Sequence, residues 1–514
     1  MSFLYSQSTD FEVHRNWKAI TTSLPIDKWY FDSGSIWTLD YPPLFAYMEY
    51  ILGMISKLFD KNITVLSNYN YGNWSCKCYQ RSTVLIGDIL LFFALKKLST
   101  SLKLSNKQSF NFRIAIQLFA GLVYIDNIHF QYNTILFSIF FFSIAYIANE
   151  QYLIGALFYT IALCMKHIFI YMAPAYLIFY LKHYIFTKQT TFKDIISKVI
   201  SCGFVIVLVV LITFFPFIVI CLKERSIEQF IQIKNRLFPF QRGLLHTYWA
   251  PNAWALYSFG DKVLNYIINK NKGSKYNTSA KGVTQVTEFD YLPNITPNIA
   301  NGILIGMILV FITKTFIIRE KCQMESNEES NKKYKAKQII KYCLFSNLIF
   351  FNFGYQVHEK AFIIISLLSI MYTGIHTSEE EKTKTSNDIL NNMCYMIIII
   401  GSLAQMPLIH DYRDYLVKIM LFISYKAFID TVFIKKPGNS YAYMLFNIFI
   451  IVCLLLDFNE IFKSLYNETL MNKCFILKII SKINHKLPFV SLMLFSVLNA
   501  CFVQIIFIIL LFTI

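Results

Sequence analysis

Residues 198–221 read KVISCGFVIVLVVLITFFPFIVIC, and no charged residue interrupts the run between Lys198 and Lys223. A helix that crosses a bilayer needs roughly 20 consecutive apolar residues, and this stretch supplies them. Working outward, comparable apolar segments lie at 82–98, 113–126, 133–149, 152–165, 168–186, 300–318, 339–355, 361–374, 389–405, 415–434, 441–457 and 489–513. They make about thirteen in all, with the pieces around 152–186 and 361–405 shortest relative to a full span. The chain of 514 residues is 55% hydrophobic and 17% aromatic, too apolar for a soluble fold of this size. The fold class expected is an all-α polytopic membrane protein with lumenal amphipathic helices.

The formal net charge of +17 would suggest nucleic acid in a soluble chain. Here it reads as cytosolic loops that obey the positive-inside rule. Lys96, Lys97, Lys103, Lys107 and Arg113 share one loop, Lys182, Lys188, Lys193 and Lys198 border another, and Lys332, Lys333, Lys335, Lys337 and Lys341 fill a third. Alternation then puts 1–80, 127–132, 222–299, 353–360 and 406–414 on the opposite side. The glycosylation sequons at Asn62, Asn73, Asn277, Asn294 and Asn467 all fall in segments assigned to that side. The lysine-rich stretch 458–488 runs against the pattern, and reads either as an interfacial segment or as a count off by one.

The organisation expected is a first lumenal loop (1–80), N-terminal transmembrane helices (81–221), a large lumenal loop (222–299) and C-terminal transmembrane helices (300–514). In the first loop, VHRNWKAITTSLP and PPLFAYMEYILGMISKLF are expected to lie on the membrane surface with Trp17, Trp29, Tyr30 and Trp37 at headgroup depth. The polar stretch 269–289 reads as a mobile insertion.

Chemistry gathers outside the apolar runs. STDFEVHRNW (8–17) carries Asp10 and Glu12 beside His14 and Arg15, and a carboxylate near an apolar surface with an arginine neighbour suits a general base. Asp10, Ser8 and Thr9 are also good helix caps. Asp40 in WTLDYPP (37–43) stands before two prolines, where a cap role and a catalytic role are both open. FGYQVHEK (353–360) places His358, Glu359 and Lys360 between apolar segments, and Arg236 and Arg242 flank Phe238-Pro239-Phe240, where guanidinium forks suit a phosphate or a headgroup. DNIHFQYN (126–133) and MKHIFIYMAP (165–174) add Asp, His, Gln, Asn and Lys at span ends. The chain has no Walker loop, dinucleotide fingerprint, zinc box or closely paired histidines, so neither a cofactor nor a metal is expected. Eleven cysteines are scattered without ligand spacing, and a bridge between Cys76 and Cys78 would be strained. These residues suit a lipid-borne phosphate donor and a polyol acceptor, with a lipid or sugar transporter as the reading from another class.

The strings STDFEVHRNW, WTLDYPP, HFQYN, RLFPFQRG and QVHEK resemble, in order and nearly end to end, those of the endoplasmic reticulum glucosyltransferases that use dolichyl phosphate glucose, enzymes of the GT-C type. WTLDYPP together with LLHTYWAPNAWALY is similar to the branch that adds the second glucose. The sister branch, which adds the first glucose to a Man9 acceptor, is the alternative. The resemblance implies transfer of an α-1,3-linked glucose to Glc1Man9GlcNAc2 diphosphodolichol with inversion. It further implies Asp10 as base and Asp40 in a supporting or orienting role. His358 and Lys360 would sit on the donor phosphate with Arg236 and Arg242 as helpers, and Glu12, Arg15, His129, Gln131 and Glu359 would bind substrate. Dolichyl phosphate glucose, dolichyl-diphosphate oligosaccharide and endoplasmic reticulum membrane lipids are the implied partners, with no nucleic acid and with a lumenal active site. Two departures stand out. The family has a transmembrane helix ahead of STDFE, so this chain implies either a truncated start or a first loop held less firmly. It also usually has His where this chain has Asn127, which puts a proton-relay role at that position in doubt.

Overall fold

The computed structural model describes residues 8–187, 190–239, 243–246, 249–268, 288–317, 328–376, 386–433, 440–462 and 490–513, and their regular structure is helical without a strand. Arg242, most of the polar stretch 269–289 and most of 458–488 lie outside the described residues. The chain order is α1 (Thr9–Ser23), α2 (Pro43–Ser56), α3 (Trp74–Ser101), α4 (Asn106–Gln117), α5 (Asn133–Ala148), α6 (Tyr152–Met165), α7 (Ala173–Tyr180), α8 (Phe192–Glu224) and α9 (Glu228–Leu237). It continues with α10 (Ala253–Ile268), α11 (Pro297–Ile317), α12 (Glu328–Phe353), α13 (Phe362–His376), α14 (Ser386–Ala404), α15 (Tyr415–Phe433), α16 (Ser440–Phe462) and α17 (Val490–Thr513).

The quoted apolar run forms the body of α8, a single helix of 33 residues whose start is fixed by a reciprocal capping box between Thr191 and Asp194. At 1.5 Å per residue it is about 50 Å long, against a hydrocarbon thickness of about 30 Å. Among the described residues six helical stretches are long and apolar enough to cross a membrane: His167–Ile185, Phe192–Glu224, Pro297–Ile317, Ile389–Leu408, Tyr441–Ile461 and Val490–Phe512. Asn133–Ala148 and Tyr152–Met165 are apolar but shorter. The all-α polytopic class therefore holds, whereas length and composition among the described residues do not establish a count of thirteen.

Packing divides the chain into two units. One comprises Met1–Leu118, Ile125–Pro239 and Ile318–Cys343; the other comprises Phe119–Tyr124, Phe240–Ile317 and Leu344–Ile514. In the first, α1 is not laid on a surface. Phe11, Glu12 and every residue from His14 to Thr21 are buried, and so are Trp29 and Tyr30. The expectation of Trp17, Trp29 and Tyr30 at headgroup depth is corrected: their rings are core, Trp17 packing on Phe45, Trp29 on Tyr47 and Tyr30 on Phe217. Of the two first-loop helices, it is α2 that keeps an exposed apolar face, at Tyr50, Ile51, Met54 and Ile55. Nor is the first loop loosely held. Lys18 Nζ lies 2.8 Å from Glu49 Oε2 and His14 Nδ1 lies 2.6 Å from Glu49 Oε1, with all three side chains buried. The two helices approach closely at Gly53, where an added Cβ would come within 2.5 Å of Thr22 Cγ2 and 3.1 Å of the Lys18 carbonyl.

Burial lowers the pKa of His14 and keeps the ring neutral against the pull of Glu49. For Lys18, burial opposes the charge, but the Glu49 carboxylate and the Tyr132 hydroxyl outweigh it and raise the pKa. For Glu49, burial likewise opposes the charge, yet Lys18 and His14 lower its pKa. In the second unit, Lys418 and Asp457 form another buried pair at 2.6 Å, with Lys418 Nζ also donating to the carbonyl of Ile409 at 3.1 Å. There Ser366 on α13 fits against the bare Cα of Gly401 on α14.

Two outcomes follow for the detergent-solubilised protein. Glu49→Ala strands a buried ammonium and lowers stability by about 3–5 kcal/mol, whereas Lys18→Met combined with Glu49→Leu costs far less; thermal unfolding of the two variants distinguishes them. His14 and Glu49 have folded-state values below their ordinary 6.5 and 4.5, so their contribution is complete above those values and is lost as pH falls. Lys18 is raised, so its contribution fails only on the alkaline side of 10.5. The unfolding temperature should hold above pH 6.5 and fall progressively below it.

Candidate active site

Local chain geometry decides which acids are available. Ser8 caps α1: its hydroxyl accepts from the Phe11 amide at 3.1 Å and donates to the carbonyl of His129. Asp10, one turn-position inside the helix, is therefore released from capping. Its Oδ2 accepts from Gln131 Nε2 at 2.6 Å and lies 3.5 Å from His129 Nε2. Asp40 is no cap either, since Pro42 occupies the N-cap position of α2 and no side chain caps it.

His129 and Gln131 both reach Asp10 because the residue between them, Phe130, takes a left-handed φ of 83°. For a bulky aromatic this conformation costs about 1–3 kcal/mol and persists only where packing imposes it. Phe130 is fully buried, with the rings of Phe11 at 5.2 Å, Tyr132 at 5.3 Å and His14 at 5.5 Å. The network continues beyond Gln131. Asn133 Nδ2 donates to Gln131 Oε1 at 2.7 Å and to Asp126 Oδ1 at 2.8 Å, and Lys166 Nζ donates to Asn133 Oδ1 at 2.9 Å. Lys166 also stands 4.9 Å from the centre of the Tyr41 ring. Burial, followed by the charges of Asp40, Asp10, Asp126 and Glu49, raises the pKa of the Tyr41 phenol well above its ordinary 10, so this phenol stays neutral within reach of all four acids. Asn127 does not join them; its amide donates to Asp88 Oδ2 at 2.8 Å.

Two expected substrate ligands are placed elsewhere. Arg15 donates Nε and Nη2 to the two Glu12 carboxylate oxygens at 2.7 and 2.8 Å. Its Nη1 reaches the carbonyls of Ile63 at 2.9 Å and Val65 at 3.2 Å. Both side chains are buried, and the fork is a clamp that holds residues 61–65 against α1, not a contact offered to a ligand. Arg236 donates to the carbonyls of Tyr30 at 2.9 Å and Asp32 at 3.1 Å, so it ties α9 to the first loop.

The second unit carries its own cluster. His358 Nδ1 lies 2.9 Å from Glu359 Oε2 and 3.1 Å from the Lys360 amide. A proton on Nδ1 serves the carboxylate, and a lone pair there serves the amide, so the protonation state selects between them. Gln405 Nε2 holds the Glu359 carbonyl at 3.0 Å, and Lys360 is half-buried. The sequence did not single out His246, whose ring centre lies 3.9 Å from that of His358. His246, His358 and Glu359 each present a ligand atom within 4.8 Å of the others, a set of two imidazoles and a carboxylate able to accept a cation such as zinc. Sequence spacing could not reveal it, because His246 is far from the other two. Lys166 and Asn133 were visible only as members of polar strings at span ends.

The described residues form a helical membrane body with a carboxylate held between amide and imidazole donors in one unit and a His/Glu/Lys cluster in the other, and the comparisons with known proteins make the class an integral-membrane glycosyltransferase. The chain matches the ALG6, ALG8 glycosyltransferase family over residues 3–510, and it belongs to that family. Among curated relatives, a Schizosaccharomyces pombe protein is 38% identical over 70% of this chain and 69% of its own length. A Mus musculus protein is 35% identical over 71% and 70%, and a Candida albicans protein 34% identical over 81% and 71%. All three bear the name dolichyl pyrophosphate Glc1Man9GlcNAc2 alpha-1,3-glucosyltransferase.

The clamp generates a test. Arg15→Met leaves the Glu12 carboxylate buried without its partner and should lower stability by about 3–5 kcal/mol. If Arg15 is structural, the folded fraction keeps its KM for both lipid-linked substrates; a selective rise in one KM would assign it to binding.

Proposed function

We propose that this protein transfers glucose from dolichyl phosphate glucose to Glc1Man9GlcNAc2 diphosphodolichol, forming an α-1,3 linkage with inversion. On this reading the protein works in the endoplasmic reticulum membrane with its active site facing the lumen. What carries the chemistry is Asp10, released from capping by Ser8 and held by Gln131 and His129; what favours the acceptor is the name shared by the relatives. Sequons and lysine placement support the lumenal assignment.

In one in-line displacement the acceptor hydroxyl oxygen attacks the anomeric carbon and its proton passes to the Asp10 carboxylate. The bond from that carbon to the phosphate oxygen breaks, and its electron pair remains on the phosphate. Inversion needs one base and no covalent intermediate, and a phosphate leaves without full protonation. Preorganised positive donors then stabilise the charge that grows on it. We assign that work to His358 and Lys360, and the orientation of Asp10 to Gln131 and His129, with Asp40 and Tyr41 beside them. Arg236 acts through the loop it holds, and Glu359 through the His358 ring it stands beside. The transition state is oxocarbenium-like, and much of the rate comes from holding two lipid-tethered substrates in register.

Asp10→Asn keeps the hydrogen-bonding shape and removes the base, so glucose transfer should fall by about 10²- to 10⁴-fold with the protein still folded. Full activity in that variant would overturn the assignment. Microsomes given defined acceptors should glucosylate Glc1Man9GlcNAc2 diphosphodolichol. Turnover of the Man9 acceptor alone would assign the chain to the sister branch, and substrate movement without a new glycosidic bond would make it a transporter.

A further inference from the structure

The hydrogen bonds behind Asp10 run in one direction, and that direction is dictated at their far end. Lys166, at the C-cap of α6, donates from Nζ to Asn133 Oδ1 at 2.9 Å. An ammonium has donors and no acceptor, so the atom of Asn133 that faces it is the carbonyl oxygen. The Asn133 amide nitrogen is thereby turned toward Gln131 Oε1 at 2.7 Å and Asp126 Oδ1 at 2.8 Å. Asp126 makes the same demand from its own side. Tyr132, at the N-cap position of α5, brings no side-chain cap, and Asp126 Oδ2 accepts from the Thr134 amide at 2.6 Å in its place. Both Asp126 oxygens therefore face N–H groups, in a side chain with no exposed surface.

The consequence passes along the chain to the base. With Asn133 Nδ2 on its carbonyl oxygen, Gln131 turns Nε2 the other way, and that nitrogen donates to Asp10 Oδ2 at 2.6 Å. A Gln131 amide of the opposite orientation would set its oxygen against the carboxylate. Two acceptors that close repel unless a proton lies between them, and an Asp10 that already holds this proton is no base. The two ends of an amide are nearly alike in shape, so packing by itself does not choose between them. Charged groups at the end of the chain do.

We infer that Lys166, Asp126 and Asn133 are positioning residues for the transfer: a group that only donates and one that only accepts fix the direction of the Asn133–Gln131 amide chain, which makes Gln131 offer Asp10 an N–H and not a carbonyl. The inference rests on the proposed glucose transfer with Asp10 as base, and deepens it by naming what keeps that base ready to accept a proton. It adds no bond change to the displacement.

The test exchanges two side chains in the full-length enzyme, assayed in detergent with dolichyl phosphate glucose and the Glc1Man9 acceptor. Asp126→Asn combined with Asn133→Asp conserves charge and volume, and acceptors remain for the Thr134 amide and for Lys166. It also puts a carboxylate where Gln131 now finds an N–H, so the Gln131 amide turns over and presents its oxygen to Asp10. kcat should fall about 10- to 100-fold, the effect of losing a hydrogen bond to a charged group, while KM for both substrates and the unfolding temperature keep their wild-type values. Gln131→Met should cause a loss of similar size, and adding it to the exchange should lower kcat no further. Lys166→Met should lower kcat within the same range, and Lys166→Arg, which also only donates, should recover most of that loss.

Wild-type kcat in the exchanged enzyme overturns the inference, and if Asp10→Asn is then inactive the broader reading stands without it. A higher donor KM in Lys166→Met with kcat unchanged makes Lys166 a phosphate ligand and overturns its positioning role. Should the exchanged protein fail to fold, the cycle of Lys166→Met and Gln131→Met decides: losses that multiply overturn the inference, and a double variant no slower than Gln131→Met supports it. Full activity in Asp10→Asn removes the base itself, and the inference falls with the reading on which it rests.

Discussion

Everything in the first unit depends on one buried carboxylate. Glu49 faces both Lys18 and His14 of α1, and in a fully buried site none of these groups can lose its partner cheaply. The constraint is directional as well as energetic. Lys18 also reaches Tyr132 Oη at 3.0 Å, Tyr132 meets Thr83 at 2.7 Å, and His14 is ringed by Trp17, Phe45, Phe130 and Tyr132. Rotation of α1 about its axis would therefore break an ion pair and an aromatic cage together. That rigidity sets where the start of α1, and with it Asp10, is presented.

The geometry around Asp10 shows how strain is used. Phe130 is held in a left-handed turn by the same aromatic cage that surrounds His14, and its two neighbours face Asp10 as a consequence. The polar residues behind them form a branched network, not a line: Asn133 touches Gln131, Asp126 and Lys166 at once. Such a network holds its amides in one orientation, because flipping either would face donor to donor or acceptor to acceptor. A carboxylate held this way needs little reorganisation to take the part proposed for Asp10.

Buried ions here serve two distinct ends. Glu12 with Arg15 and Lys18 with Glu49 spend their charge on protein groups, which gives architecture. The cluster of His246, His358 and Glu359 buries its carboxylate and leaves both imidazoles partly exposed. Counting charged residues in a string cannot separate these cases, and nothing in the order of residues 8–17 shows that Glu12 and Arg15 pair with each other. Burial and partner geometry separate them at once.

Hydropathy is a local, additive property, and so the helical membrane class and the apolar body of α8 follow from the amino-acid order alone. The strings that hold Asp10, His129, Gln131, His358 and Glu359 were legible too, since ionisable residues at the ends of apolar runs are costly unless used. Tertiary structure decided the rest. The partners of Asp10 come from 121 residues away and those of His14 from 35 residues away, and no periodicity encodes such pairings. Only the packed chain could show that Ser8, and not Asp10, caps α1, that Trp17 and Trp29 are core rather than interfacial, and that His246 stands beside His358. Each of these depends on which faces of distant helices meet, a property of the three-dimensional packing that no segment possesses by itself.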